Sequence, residues 1–299
     1  MSSYLERLRN SNADNLKKFK EQTAAAGAGG FAKDETFWVA KPDATGTGTA
    51  KFRFLPMAEG EESPFVFYFQ HFFKENGKFF VEKCPNTFGF DHGCSVCDDV
   101  QPLWDGSEDE KAIAMRRARK KNYVANIYMI EDQMNPANNG KVFKYRFGAS
   151  IFEIIQKVMD PEDVDDEAVN VFSLFEDGAN FRLKVKQKGG FANYDDSKFL
   201  SVGPLDVADD ELEKIVDSIY PLEPIIAKDQ FKSNDELLKR FYNVIGKTSP
   251  VSTTVATTKV ETPSSSETNV KPAVSVEDTS TSEVKVDDYD FSALTFDDD

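Results

Sequence analysis

Four metal-ligating side chains fall in one short stretch: His71, Cys84, Cys94 and Cys97, spaced H-x12-C-x9-C-x2-C. They include all 3 cysteines of the chain and one of its 2 histidines. Two thiolates separated by two residues can turn onto one ion, and Cys3His is the closed tetrahedral shell of structural zinc. Asn76-Gly77 stands between two apolar runs, and both residues tolerate positive φ. A hairpin there would return Cys84 towards His71. The expectation is one structural zinc ion organising a subdomain of about residues 60–125. Three unrelated thiols and a redox Cys-x2-Cys are the alternatives. A redox pair leaves Cys84 without a role, and no βαβ pattern surrounds it. His92 competes with His71 as the nitrogen ligand, but it stands only two residues before Cys94. The odd cysteine count and the polar start, Met1 to Arg7, favour reduced thiols in a chain that is not secreted.

Around the cluster the pattern is of short strands: Ala50–Leu55, Phe65–Phe73, Lys78–Glu82, Tyr123–Ile130, Val142–Phe147 and Asn180–Gln187. Asn139-Gly140 reads as a second hairpin. An apolar stripe from Ile151 to Met159, ending before Pro161, predicts a helix. So does the capping box Ser233-Asn-Asp-Glu236, followed by Leu237, Phe241 and Val244 and stopped by Gly246. With 26 Phe and 9 Tyr there is ample aromatic volume for a core. The fold class expected is mainly β with helical additions (α+β), built on a small antiparallel barrel. Residues 31–247 read as that core. Residues 1–22 read as a basic helical arm, 23–30 (TAAAGAGG) as a flexible linker, and 248–299 as a disordered acidic tail. The tail tip mixes acids with Tyr289, Phe291, Leu294 and Phe296, the composition of a partner-binding segment or of a merely solvating one. No apolar run reaches about 18 residues, so no membrane span is expected.

A net charge of −16 argues at first against a polyanionic partner. The charge is uneven, however. The tail from Thr248 carries 11 acidic and 3 basic residues, half the net charge, while residues 1–20 are net +3. Within the acidic core three segments interleave cations with rings. Lys111–Val124 holds 6 basic residues and no acid, among them Arg116, Arg119, Lys120 and Lys121, with Tyr123 at once after. Lys144-Tyr145-Arg146 follows. Then Arg182, Lys184, Lys186 and Lys188 alternate with Phe181, Leu183 and Val185, ahead of Phe191 and Tyr194. Cations that track phosphates beside rings that stack on bases make a groove for single-stranded nucleic acid. The plainer alternative is three solvated strand or helix faces.

The sequence resembles the single-stranded DNA-binding (helix-destabilising) proteins of T-even-type phages. The residues that carry the resemblance are the His71–Cys97 spacing, GKVFKYRFG at 140–148, and GANF, LKVKQ, GF, NYD and SKFL across 178–200. The resemblance implies an OB-fold-like core with a zinc subdomain and zinc on His71, Cys84, Cys94 and Cys97. It implies DNA contacts from Arg116, Arg119, Lys120, Lys121, Tyr123, Lys144, Tyr145, Arg146, Lys184, Lys186, Phe191 and Tyr194. It further implies self-association on DNA through the arm, where Arg7 and Arg9 are the nearest match to the family's basic motif. The acidic tail is expected to recruit replication, recombination and repair proteins, in the cytoplasm of an infected bacterial host. The chain departs from the family pattern at Tyr123-Val124, where the family has Tyr-Trp, and Trp104 is the only aromatic between Cys97 and the basic run. A zinc-dependent nucleic-acid enzyme and an adaptor acting only through its tail are the other readings. Against the enzyme stand the closed ligand shell and the lack of any nucleotide-binding, deaminase or triad motif.

Overall fold

A computed structural model of the protein describes residues 34–89, 93–163, 167–188 and 191–247. The chain divides into two units between Trp38 and Val39. The described part of the first is a turn and a two-residue strand, β1 (Phe37–Trp38). Asp34 closes that turn by accepting hydrogen bonds from the Thr36 amide and hydroxyl. The expected arm (1–22), linker (23–30) and tail (248–299) lie outside the described residues.

The second unit is a mixed, sheet-rich fold with added helices. Its strands are β2 (Gly48–Phe54), β3 (Phe65–Glu75), β4 (Lys78–Lys83), β5 (Arg119–Asp132), β6 (Val142–Phe147), β7 (Ala179–Lys188), β8 (Phe191–Asn193) and β9 (Lys198–Val202). The 14-residue β5 is the hub. Its first half pairs antiparallel with β3, from His71↔Arg119 to Phe65↔Ala125. Its second half pairs with β2, from Phe54↔Ile127 to Ala50↔Asp132. Its other edge carries β6, from Tyr123↔Phe147 to Tyr128↔Val142. β7 adds to the free edge of β2 and in turn carries β8 and β9. The expected closed barrel is not what the hydrogen bonds make. Among the described residues the sheet is open, with no ladder from β6 to β7, β8 or β9. Side chains span the gap instead. Tyr145 of β6 meets Phe52 at 5.3 Å between ring centroids, Phe147 meets Phe54 at 5.8 Å, and Phe181 of β7 and Phe199 of β9 pack on the same rings.

Local chemistry explains most of the elements. Asn76 (φ 50°) and Gly77 (φ 74°) both take positive φ, so β3 and β4 form the expected tight hairpin. Asn139-Gly140 is not a two-residue turn. The Asp132 carboxylate gathers the Met134 and Asn135 amides and the Asn138 side chain into a longer loop. The helices are α1 (Ser95–Val100), α2 (Glu108–Arg117), α3 (Ala149–Met159), α4 (Asp209–Asp217) and α5 (Asn234–Ile245). Reciprocal capping boxes start α2 (Ser107, Glu110) and α5 (Ser233, Glu236), and left-handed Gly246 ends α5. α5 closes the core beside the metal-ligating residues: Leu237, Phe241 and Val244 pack with Phe73, Phe80, Val96 and Val100. A second core, Leu55, Tyr128, Leu174, Leu205 and Ile215, lies under α4.

Arg53 is the largest fully buried side chain, at 1% exposure. Its guanidinium donates to Asn180 Oδ1 (2.8 Å), the Ser173 carbonyl (2.9 Å) and the Gly203 carbonyl (2.8 Å). Burial lowers its pKa, and Asp177 partly offsets the loss. It thereby ties β2 to the loop before β7 and to the end of β9. A Cβ on Gly178 would overlap both Arg53 Nη1 and the Ser173 carbonyl. Gly178→Ala is expected to destabilise the protein by at least about 2 kcal/mol, because a buried charge loses its hydrogen bonds. Urea unfolding of the variant beside wild type measures it.

Candidate metal centre and nucleic-acid interface

His71 lies within β3, opposite Glu82 of β4, and Cys84 just beyond β4, so the Asn76-Gly77 hairpin brings the two side by side. Cys94 caps α1 and Cys97 lies in its first turn. The Ser95 amide donates to Asn234 Oδ1 at 2.6 Å, which fastens this turn to α5. The four ligand atoms all lie within 4.8 Å of one another. His71 Nε2 is 3.5 Å from both Cys94 Sγ and Cys97 Sγ, and Cys84 Sγ is 3.6 Å from Cys97 Sγ. Metal–sulfur and metal–nitrogen bonds of about 2.3 and 2.0 Å at tetrahedral angles require ligand edges of about 3.5–3.8 Å. Three of the six edges have these lengths, and the cluster is compatible with one metal ion.

The surroundings prepare the ligands. The His71 ring is buried, at 1% exposure, and its Nδ1 donates to the Arg117 carbonyl at 2.9 Å. That bond fixes the tautomer and aims the Nε2 lone pair at the sulfurs. Arg117 itself is clamped: its guanidinium donates to both Glu75 oxygens (2.9 and 2.8 Å) and to Asp99 (3.1 Å). Burial disfavours a charged His71, but hydrogen bonds and negative charge from Cys84 and Cys94 outweigh it and raise the group to about 9. Hydrogen bonds from Cys84 and Cys97 push the Cys94 thiol well down, while those from Cys84 and Cys94 push Cys97 well up. A divalent cation held by these four residues would take the place of those shared protons, so its binding would release protons and weaken in acid.

The basic run after Cys97 divides at the end of α2. On the helix, Lys111 pairs with Glu108 and Arg116 with Glu75. On β5, which begins four residues before the expected Tyr123, the cations lie on rings. The Arg119 guanidinium carbon is 4.3 Å from the Phe69 centroid, and Lys121 Nζ is 4.2 Å from that of Phe67 and 5.0 Å from that of Tyr123. Each such contact stabilises by about 0.5–1 kcal/mol at an exposed site. Phe67 and Phe69 escaped the sequence reading, although period-two alternation along β3 places them opposite Tyr123 and Lys121.

The other expected contact residues do not form one stripe with these. Lys120, Lys144 and Arg146 lie on the opposite face of the β5–β6 pair, since Arg146 pairs with Val124 and Lys144 with Asn126. Lys144 sits 5.6 Å over Tyr220. Lys83, its pKa lowered by burial and by the Arg146 charge, stands near Arg146. On β7 the alternation is as expected: Arg182 and Lys186 are exposed while Phe181, Leu183 and Val185 are buried. Lys184 and Lys186 share Asp196, whose pKa they lower, Lys186 the more. Tyr123 and Tyr145, expected as DNA contacts, are core residues, each 5% exposed. Tyr123 stacks on Phe152 at 3.9 Å and 9°, and Tyr145 on Phe147 at 5.5 Å and 27°. Phe191 pairs through its backbone with Lys188, and half-buried Tyr194 accepts a hydrogen bond from the Ser197 amide. His92, Arg7, Arg9 and the Phe191 side chain lie outside the described residues.

Comparison with known proteins gives one answer. The single-stranded DNA-binding protein of Enterobacteria phage T2 is 39% identical over 226 residues, 74% of each chain. That of Enterobacteria phage T4 is 39% identical over 217 residues, 72% of this chain and 71% of the relative. That of Escherichia phage SV14 is 35% identical over 96 residues, 31% of this chain. These relatives are named for binding, not for a reaction. The family model described as gp32 DNA binding protein like matches residues 46–245, which hold the four metal-ligating residues, the β3–β5 face and the whole sheet of the second unit, and the chain belongs to that family.

Proposed function

We propose that this protein binds single-stranded DNA without sequence preference, as a non-enzymatic, cooperative coat, and that one structural zinc ion holds the part of the fold that presents the strand-binding face. The observation that carries the reading is the ladder Arg119–Phe69 and Lys121–Phe67, which sets phosphate-binding cations against rings beside a buried Cys3His cluster. The names of the phage relatives support it. The proposed contact set is Arg116, Arg119, Lys120, Lys121, Lys144, Arg146, Lys184, Lys186, Phe191 and Tyr194, with Tyr123 and Tyr145 as the packed wall behind it. The convergence of rings from β6, β7 and β9 on β2 supports an OB-fold-like barrel closed by side chains. Arg7 and Arg9 of the arm are proposed to drive self-association. The tail is proposed to recruit replication, recombination and repair proteins in the cytoplasm of the infected host.

The tail also suits a gate. The tail lies outside the described residues; a flexible coil of its 52 residues would span roughly 40 Å, against a core radius of gyration of about 17 Å. Its acids can therefore reach the cationic face and compete with DNA. Removal of residues 248–299 is expected to speed and tighten binding, most of all at low salt. Unchanged rate and affinity at low salt would overturn the gate.

Titration of a labelled oligonucleotide across salt tests the main reading. Affinity should fall with salt at a log–log slope of about 0.7 per phosphate neutralised. Arg119→Ala or Lys121→Ala should weaken binding to all sequences alike and make the slope shallower. Neither binding nor a slope would set the reading aside.

For the metal, the purified chain is expected to hold one zinc, and a chelator should lower its melting temperature. Arg117→Ala keeps the carbonyl that accepts from His71 but removes its clamp to Glu75 and Asp99, and should release the ion to a chromophoric chelator about tenfold more readily, the lower end of what loss of an outer-shell partner costs. A zinc-free protein with unchanged melting in chelator would overturn the zinc assignment.

A further inference from the structure

Among the side chains of β3 that face Tyr123 and Lys121, Phe67 is the exception in exposure. It is 39% exposed in the middle of an 11-residue strand whose neighbours Val66 and Tyr68 are buried. Its ring neighbours do not cover it. Phe69 approaches at 6.3 Å and 79°, edge to face, and Tyr123 at 6.3 Å and a 50° tilt. What lies over the ring is the Lys121 ammonium, at 4.2 Å. One step along, Arg119 lies over Phe69 in the same way, at 4.3 Å, although Phe69 is half-buried against the core beside the metal-ligating residues. An ammonium on a four-carbon stem leaves a ring without disturbing the packing, whereas a stacked ring such as Phe152 on Tyr123 does not.

We infer that Phe67 is a base-stacking platform for single-stranded DNA, with Phe69 as the adjoining step, and that Lys121 and Arg119 guard these rings until DNA arrives. On binding, each cation moves from ring to phosphate and a base takes its place on the ring. The binding face then has its own aromatic supply, although Tyr123 and Tyr145 are committed to the core and the Trp of the family's Tyr-Trp pair is Val124 here. The inference rests on the single-strand reading above, and its ligand is the base of a DNA single strand.

The test uses the full chain, an oligothymidylate and an abasic oligonucleotide of equal length. Phe67→Leu keeps an apolar side chain at a surface position, so its melting temperature should match wild type. It is expected to bind oligothymidylate about tenfold more weakly with an unchanged salt slope, as loss of one stacked base requires. On the abasic strand it should bind as wild type does. In Phe67→Trp, the added indole fluorescence should be quenched by oligothymidylate and not by the abasic strand. If Phe67→Leu binds oligothymidylate as wild type does while Arg119→Ala still weakens binding, the platform is wrong and the function stands. Equal losses on both strands would also overturn stacking. Failure of wild type to bind either strand at any salt would overturn the function and this inference together.

Discussion

The hydrogen bond from His71 Nδ1 to the Arg117 carbonyl, 2.9 Å long, joins the two halves of this protein's chemistry. On one side it frees Nε2 for the three sulfurs. On the other it holds the last residue of α2, two positions before β5 begins. The ladder between β3 and β5 opens at His71↔Arg119, so the metal-ligating histidine and the first cation of the strand are register partners. The place of Arg119 and Lys121 on the surface is thus set by the same residues that build the cluster. The six cations of the run divide accordingly. Those on α2 are spent on Glu108, Glu75 and Asp99, where they hold the helix and its carbonyl. Of those on β5, Arg119 and Lys121 rest on rings.

The second constraint is β5 itself. A strand of 14 residues must satisfy both edges along its length, and it uses three partners to do so. Its odd-numbered residues change role along one face. Arg119 and Lys121 stand beyond the end of β6, where the face is open. Tyr123, Ala125 and Ile127, where β6 is paired alongside, and Met129 just beyond are buried. The same alternation that makes a cationic edge at one end makes an aromatic core at the other, and Tyr123 stands at the boundary. The wall behind the open face is rigid because Tyr123 is stacked between Phe147 and Phe152.

Much of this was legible in the chain. Metal spacing is a local signal, and the hairpin at Asn76-Gly77, which folds it up, is another. The capping box at Ser233 and the stop at Gly246 located α5, although nothing local said that Phe241 would pack on Phe73 and Phe80. Such packing depends on partners more than a hundred residues away. Arg119 to Asn122 did not read as strand, because consecutive cations look like loop or helix face until Phe67 and Phe69 are set beside them. The burial of Tyr123 and Tyr145 was not legible, because an aromatic next to a cation has the same sequence signature on a surface and in a core. Phe67 was hidden for the converse reason: in an apolar run, Phe65-Val-Phe-Tyr-Phe69, alternation marks two faces without saying which is covered. The open sheet was beyond sequence as well, since strand pattern does not distinguish closure by hydrogen bonds from closure by rings.

Net charge is the remaining puzzle, and distance resolves it. At physiological ionic strength the field of an exposed charge fades over about 8 Å, so a phosphate on the β3–β5 face responds to neighbours and not to the total of −16. Its neighbours there are Arg119 and Lys121. Glu75, the acid at the end of β3, is already neutralised by Arg117 and Arg116. The exchange of partners is favourable on magnitudes alone. A cation leaving a ring gives up about 0.5–1 kcal/mol and gains a phosphate, while the ring it leaves takes a base worth about 1–3 kcal/mol. Covering Phe67 with a cation in the free protein also shields an exposed phenyl ring from self-association without the permanence of burial. An acidic protein can therefore hold a polyanion, provided its cations stand where the rings are and its acids are either paired or farther off than the screening length.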